Sequence, residues 1–157
     1  MIKNRPSIVC LCGSTRFGKA FEEANLRETL DGKIVLTIGC SMRSDAELFK
    51  DVTPEALIRI KADLDELHKR KIDLADEVLI LNVGGYVGKS TFGELIYALQ
   101  RGKEVRWLEP SKSLSFKEID ARMKAGEAAP KPLLEDRGLP VVHKIPMMPT
   151  IKPARAE

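Results

Sequence analysis

Cysteine and histidine are scarce in this chain, which has three cysteines and two histidines among its 157 residues. An odd number of thiols argues against the complete disulfide framework found in small secreted domains. Cys10 and Cys12 alternate within an apolar run and share one face of it, which favours reduced core thiols in a cytosolic protein. His68 and His143 lie in unrelated sequence contexts, so the sequence predicts neither a metal site nor a cofactor.

Long apolar runs and one-sided charge are also missing. The longest apolar run falls far short of a membrane span, and no signal peptide precedes Ile8. The net charge is only +3, and the positive residues are scattered along the chain. These features predict a cytoplasmic protein that binds neither a membrane nor nucleic acid. The length and the hydrophobic content of 43% predict one globular domain with a real core.

What the chain does have is a repeated switch between strand and helix patterns. Apolar runs predict strands at 7–12, 33–39, 77–82 and 104–109. Helices are predicted between the first two strands, from Thr53–Pro54 onward, at 91–101 and at 115–124. This alternation predicts an α/β fold, a small doubly wound (flavodoxin-like) parallel sheet of four or five strands.

Two stretches complete this outline. In the helix that begins at Pro54, residues at helical spacing predict the side that packs on the sheet: Leu57, Ile60, Leu64 and Leu67. Six of the nine prolines lie between 130 and 153, which excludes a central strand or a long helix there. We therefore predict a domain at 1–125 and a Pro-rich, extended or partly disordered tail at 126–157. The apolar piece LPVVHKIPMM favours packing of part of that tail on its own domain or on a neighbouring subunit.

The strongest chemical signal lies between Asp76 and Lys103, where a strand leads through a glycine loop into a helix. Gly84, Gly85 and Gly88 occupy the loop, which predicts backbone N–H groups and a helix N-terminus gathered at one anion-binding point. Glu94 is predicted in the first helical turn, where the helix dipole favours the charged carboxylate. An anion cradle beside a charged carboxylate suits chemistry on a nucleotide.

The loop after the first strand, CGSTRFGK, is the second chemical element. Gly13 gives it backbone freedom, and Ser14 and Thr15 supply hydroxyls. Arg16 supplies a planar cation suited to phosphate, and the Phe17 ring is placed to stack on a base or ribose. Both loops are expected beyond the carboxyl ends of the strands, so they should face one another. An ordinary strand–helix turn with a surface arginine is the alternative.

GGYVGKST also resembles a Walker A phosphate loop, but its length does not fit. Val83 stands where the first glycine of that motif belongs, five residues before Gly88. The backbone must wrap a phosphate fully before Lys89 and Ser90 can reach the outer phosphates and magnesium. A P-loop NTPase is therefore the weaker alternative, and a tight glycine turn without a ligand is another.

CGSTRFG, the ADEVLILNV strand, the glycine loop and the helix with Glu94 together resemble the nucleoside 2-deoxyribosyltransferase superfamily. That superfamily includes nucleoside 5′-monophosphate N-glycosidases and CMP hydrolases, and the resemblance covers about residues 7–109. It implies that Glu94 is the nucleophile at the anomeric carbon and that residues 13–16 contact the substrate. It also implies that Gly88, with Ser90 nearby, receives the 5′-phosphate. A homodimer or larger assembly is implied too, because a neighbouring subunit closes the cleft in that family.

The chain departs from the family at the acid that protonates the base. His68 stands where the family usually carries an aspartate, with Asp65 one turn earlier and Asp73 one turn later. The transferases also carry an aspartate six residues before the nucleophile, where this chain has Gly88. That loss, with Arg16 kept, favours nucleotide hydrolysis over free-nucleoside transfer. His68 and Asp65 are the candidate acids, unless His68 only lines a half-buried helix edge. A non-catalytic nucleotide-sensing module of the same fold also remains open.

Overall fold

The computed structural model describes residues 4–39 and 48–127. Four strands form one all-parallel sheet in the order β2-β1-β3-β4. The strands are β1 (Ile8–Cys12), β2 (Ile34–Leu36), β3 (Glu77–Ile80) and β4 (Glu104–Trp107). The helices flanking them are α1 (Gly18–Leu30), α2 (Pro54–Leu74), α3 (Lys89–Gln100) and α4 (Phe116–Lys124). The predicted α/β fold with a small flavodoxin-like sheet is confirmed, with four strands in the described ranges.

All four predicted strands are present, but each is shorter than its apolar run. After β3 and β4 end, the Asn82 side chain hydrogen-bonds the backbone of Glu109, in place of the backbone hydrogen bonds between the two strands. Its Nδ2 donates to Glu109 O at 3.0 Å, and its Oδ1 accepts from Glu109 N at 2.9 Å. The chain thus leaves the sheet at Asn82 and at Glu109 with its backbone still paired, and the loops beyond carry the candidate site.

Each face of the sheet has its own apolar core, because alternate strand residues point to opposite sides. Val9, Leu11 and Leu79 pack with Phe21 and Ala24 of α1. On the other face a second buried cluster packs under α2 and α3: Cys10, Cys12, Val78, Ile80, Ile72, Phe92 and Leu95. The prediction that Cys10 and Cys12 are buried thiols on one face is confirmed, and neither forms a disulfide.

The start of α2 is as predicted, but its buried side is not. Thr53 caps the helix by accepting a hydrogen bond from Ala56 N at 3.3 Å. Leu64 and Leu67, however, are each 45% exposed, and the buried residues of α2 are His68 and Ile72. The predicted stripe is therefore only partly buried, because Leu57 and Ile60 are half-buried and the fully buried residues lie nearer the end of the helix.

Some predictions fall on other parts of the chain. Residues 40–47, which include Cys40, and the predicted tail from residue 128, which includes His143, lie outside the described residues. Residues 126 and 127 close α4, where Gly126 N donates to Met123 O at 2.9 Å. Across 4–39 and 48–127, no helix combines the length and apolar character needed to cross a bilayer.

Candidate functional site

The candidate site lies at the carboxyl end of β1, on the face of the sheet that α2 and α3 cover. Cys12 is the last residue of β1 and pairs with Ile80 of β3. The side chains of Cys10 and Cys12 are fully buried beneath the two helices. This position, beyond the strand ends of a doubly wound sheet, is where such folds bind ligands.

His68 of α2 lies directly against these two thiols. Its Nε2 is 3.3 Å from Cys12 Sγ and 3.7 Å from Cys10 Sγ, and the side chain is only 4% exposed. The sequence analysis did not predict this contact between His68 and the cysteines. Spacing along the chain could not reveal the contact, because α2 returns to β1 only through the tertiary fold.

Glu94 completes the cluster from α3. Its Oε1 lies 3.9 Å from His68 Nε2, and the residue is 8% exposed. Glu94 Oε2 and His68 Nδ1 are buried without a hydrogen-bond partner among the described residues. An unpaired buried oxygen is costly, so its retention marks a position where a ligand would find an acceptor.

The charge state of Glu94 differs from the sequence-based expectation. Burial raises its pKa to about 7, although the nearby His68 opposes this rise. The predicted stabilisation by the helix dipole fails because α3 begins at Lys89, which places Glu94 in the second turn. Desolvation of the carboxylate therefore outweighs the dipole, and the expectation of a fully charged Glu94 at neutral pH is wrong.

The other three groups of the cluster are shifted too. Burial opposes the charged form of His68, but the contact with Cys10 and the charge of Glu94 outweigh it and raise the pKa of His68. Contact with Cys12, and then with His68, lowers the pKa of Cys10 to about 6. Burial is the main reason that the pKa of Cys12 is raised. Four buried titratable groups with displaced pKa values mark a functional site more often than a plain core.

Asp65 and Ser90 form the rim above this cluster. Ser90 Oγ donates to Asp65 Oδ1 at 3.2 Å, and both residues are exposed. Asp65 precedes His68 by one turn of α2, and Ser90 precedes Glu94 by one turn of α3. The structure thus brings together all the predicted catalytic residues, although their roles stay predictions.

The two predicted ligand loops meet through Tyr86, a residue that the sequence analysis did not single out. The Arg16 guanidinium lies 4.4 Å from the centre of the Tyr86 ring, and the Phe17 ring packs edge-on against it at 5.9 Å. Ser14 Oγ accepts a hydrogen bond from Arg16 N at 3.4 Å and caps the short 3-10 helix Thr15–Phe17. The expectation that the two loops face one another is confirmed.

Gly13 and Gly88 are needed for close approach at these loops. A Cβ atom on Gly13 would lie 3.0 Å from Leu81 Cβ, and one on Gly88 would lie 3.0 Å from Tyr86 Oη. A larger residue at either position would push the first loop off the sheet or Tyr86 away from α3.

Gly84 and Gly85 have a different role from the one predicted. Both adopt positive φ, at 64° and 86°. Gly84 N donates to Glu109 Oε2, and Gly85 N donates to Asn82 O at 2.8 Å. A carboxylate of the chain itself therefore occupies the glycine turn. The N-terminus of α3 beside Gly88 has no side-chain cap, so it is the better candidate for phosphate.

An open pocket of about 410 Å³ lies on the other side of Arg16. Phe17, Val83, Leu108 and Glu109 help to line it, but Glu94 and His68 do not. Arg16 belongs both to this pocket and to the contact with Tyr86. Acid–base groups converge at the buried cluster, and none of Cys10, Cys12, His68 and Glu94 lines the pocket.

Comparison with protein families, with curated proteins and with solved structures gives no match for this chain. The resemblance drawn from the sequence motifs therefore stays a prediction, and the function is argued from the site alone.

Proposed function

We propose that this chain cleaves the N-glycosidic bond of a nucleoside 5′-monophosphate. The observation that carries the proposal is that Asp65, His68 and Glu94 approach one another from two helices, with Glu94 Oε2 buried and without a partner among the described residues. Cleavage of this bond passes through an oxocarbenium-like state, which a carboxylate beneath the sugar ring stabilises or captures.

The steps follow from these groups. The C1′–N bond breaks, and the base leaves with the bonding electron pair and accepts a proton from His68. Glu94 stabilises the positive charge at C1′ or forms an ester with C1′. Water, or a second base, then forms a bond to C1′ and releases the Glu94 carboxylate. In hydrolysis the proton lost by water restores His68, and the sugar phosphate departs. Asp65 and Ser90 at the rim would orient the substrate.

Burial of Glu94 suits this reaction. In the free protein the carboxylate is opposed by desolvation, as the raised pKa shows. Positive charge that develops on the sugar would stabilise the ionised form only as the transition state is approached. An interaction that is stronger in the transition state than in the ground state accelerates the chemical step.

The phosphate would bind between Arg16 and the start of α3. Arg16 is held beside the glycine loop by its contact with Tyr86, and the uncapped end of α3 offers backbone N–H groups. Binding energy from the phosphate would position the sugar over Glu94. A P-loop NTPase fits less well, because Glu109 already holds the Gly84 N–H that would wrap a phosphate.

The test is a panel of nucleoside monophosphates and free nucleosides, assayed for released base by chromatography with and without EDTA. We expect base release from at least one monophosphate, undiminished by EDTA. Intact nucleotide recovered after long incubation, bound but uncleaved, would reject the glycosidase. It would favour a nucleotide-sensing module instead, in which a partly neutral Glu94 hydrogen-bonds a ribose hydroxyl.

We also propose that the chain forms a homodimer or larger assembly. Leu64 and Leu67 are exposed on α2 beside Asp65, so a second subunit would bury apolar surface at the rim of the cleft. Light scattering at micromolar concentration should give at least twice the mass of one chain. A monomer under these conditions would refute this proposal without affecting the chemistry.

A further inference from the structure

Three potential metal ligands meet at the end of β1. Cys10 Sγ, Cys12 Sγ and His68 Nε2 all lie within 4.8 Å of one another, and all three residues are buried. The two thiols come from the same face of a central strand, and the imidazole comes from a helix packed on it. Ligands placed on rigid elements in this way are held in position before any ion binds.

The distances suit tetrahedral coordination. With Zn–S bonds of about 2.3 Å and Zn–N bonds of about 2.0–2.1 Å, tetrahedral geometry separates a sulfur and a nitrogen ligand by roughly 3.5 Å. The two observed separations, 3.7 Å from Cys10 Sγ and 3.3 Å from Cys12 Sγ to His68 Nε2, lie on either side of that value. The two sulfur–nitrogen separations therefore suit a small ion, and the two sulfur atoms lie within 4.8 Å of one another.

A second observation points to a ligand at this place. Glu94 Oε1 lies 3.9 Å from the same His68 nitrogen, and Glu94 Oε2 is buried without a partner among the described residues. A dication would neutralise two thiolates and give this carboxylate a cation to face. We propose that Cys10, Cys12 and His68 bind a divalent cation of the zinc class, with Glu94 beside the fourth coordination position.

The ligand set selects the class of metal. Thiolate sulfur and imidazole nitrogen favour Zn²⁺ and related transition ions over Mg²⁺ and Ca²⁺, which prefer oxygen. The consequence for catalysis rests on the proposed function. A metal on His68 Nε2 takes the lone pair that would carry the proton to the leaving base, so occupancy of the site inhibits base release.

Cobalt is the probe, because Co²⁺ substitutes for Zn²⁺ and thiolate ligation gives a charge-transfer absorption. The reduced, chelator-treated full chain is titrated with Co²⁺ and then with Zn²⁺. We expect one cobalt per chain, with the charge-transfer band, and its displacement by Zn²⁺. Cys10→Ser, Cys12→Ser and His68→Gln should each weaken binding by more than about 100-fold, beyond the range of changes in outer-shell residues.

Two variants serve as controls. Cys40→Ser removes the third cysteine of the chain, so any thiolate band that remains must come from Cys10 and Cys12. Glu66→Gln lies on α2 and pairs with Arg70 away from the cluster. Both should bind cobalt like the parent protein. Loss of the band in Cys40→Ser, or unchanged binding in Cys10→Ser and Cys12→Ser, would overturn the assignment.

A second measurement covers the case in which a ligand variant fails to fold. In the Cys40→Ser protein, Zn²⁺ should slow the reaction of both remaining thiols with a thiol reagent, and equal rates with and without Zn²⁺ would overturn the site. Metal binding and base release are read separately. If the protein binds cobalt but releases no base, the metal site is supported and the glycosidase is rejected. If it releases base but binds no cobalt, only the metal site is rejected.

Discussion

Two buried glutamates in this molecule have opposite surroundings. Glu28 of α1 is 2% exposed, and its Oε2 lies 2.6 Å from Arg106 Nη2 and 3.0 Å from Lys33 Nζ. Glu94 of α3 is 8% exposed and lies against a histidine and two thiols. Burial opposes the charge of Glu28, but its hydrogen bonds with Arg106 and Lys33 outweigh burial and lower its pKa. For Glu94, burial prevails and the pKa rises.

Both glutamates have little exposed surface, but they differ in their partners and in depth, because Glu94 lies deeper in the protein than Glu28 and has no Lys or Arg beside it among the described residues. Glu77, the first residue of β3, shares the two cations with Glu28, so the network at that edge of the sheet is paired throughout. Removal of a carboxylate paired in this way leaves its cations uncompensated, and both of its oxygens are already occupied by Arg106 and Lys33. A carboxylate left unpaired destabilises the fold and retains an acceptor, which is the arrangement expected at a functional site.

The largest expected effect is that of Glu94→Gln on turnover. The substitution keeps the shape but removes the charge that the transition state needs, so base release should fall about 100- to 1,000-fold, or about 2.7–4 kcal/mol. Substrate affinity should hardly fall, because the proposed phosphate contacts are untouched, and the free energy of unfolding should hardly fall, because burial already opposes the charge of Glu94. Single-turnover assays and thermal melts measure these quantities. Lys89→Ala is the control and should be mild; a P-loop NTPase would show the reverse pattern.

The matched substitution in the paired network, Glu28→Gln, should do the opposite. It leaves two partly buried cations with one carboxylate, so the free energy of unfolding should fall by roughly 2–3 kcal/mol. Base release by the folded fraction should be unchanged. Urea unfolding monitored by circular dichroism measures the loss. If Glu28→Gln and Glu94→Gln have the same free energy of unfolding, the different partners of the two glutamates do not affect stability.

Arg16→Ala tests whether Arg16 supplies the positive charge that binds the 5′-phosphate, because no Lys or Arg of the described residues lies beside Glu94. If Arg16 holds the 5′-phosphate, the preference for monophosphate over nucleoside should fall about tenfold, or about 1.4 kcal/mol. Calorimetric titration with both ligands gives that ratio. Lys124→Ala removes a cation of α4 that pairs with Asp120 and does not line the pocket, so it should change this ratio little. Equal affinity of the parent protein for both ligands would refute the phosphate assignment.

The smallest expected effect is on how the free energy of unfolding decreases at acid pH. Glu28 and Glu77 have pKa values below their ordinary value of 4.5, so their contribution is complete above pH 4.5. It is lost as the pH falls through their lowered values in the folded state, because the unfolded chain takes up protons first. Glu28→Gln should therefore lose less stability than the parent protein between pH 5 and pH 3, roughly. If the free energy of unfolding of the parent protein and of Glu28→Gln decreases in parallel over this pH range, ionised Glu28 does not stabilise the network.

Local signals in the sequence predicted most of the fold. Thr53 and Pro54 mark the start of α2 by chemistry within one helical turn, and apolar runs mark the strands. The prediction of the buried side of α2 was wrong, because helical spacing shows which residues share a side of the helix but not which side other residues cover. Leu64 and Leu67 keep the helical period but are only partly covered by other described residues.

The sequence named the residues that meet at the candidate site, but not their arrangement. The family resemblance drew attention to Glu94 and His68, and the loop after β1 drew attention to Arg16, whereas the contact of His68 with Cys12 depends on the tertiary fold. The charge of Glu94 was wrong because α3 begins before its apolar pattern does, at a Gly88 that has no capping side chain. Tyr86 gives no signal of its own, since its position between Arg16 and Gly88 exists only in the folded chain.

The all-parallel sheet also governs how the chain can fold. Cys10 of the central strand pairs with Leu36 on one side and with Val78 on the other, and each pairing must wait for a long crossover to close. Chains dominated by such distant contacts refold slowly compared with helical proteins of similar size. The buried cluster draws on β1, α2 and α3, so no single early element can form it. Protection of the two thiols during refolding should therefore mark the completion of the sheet.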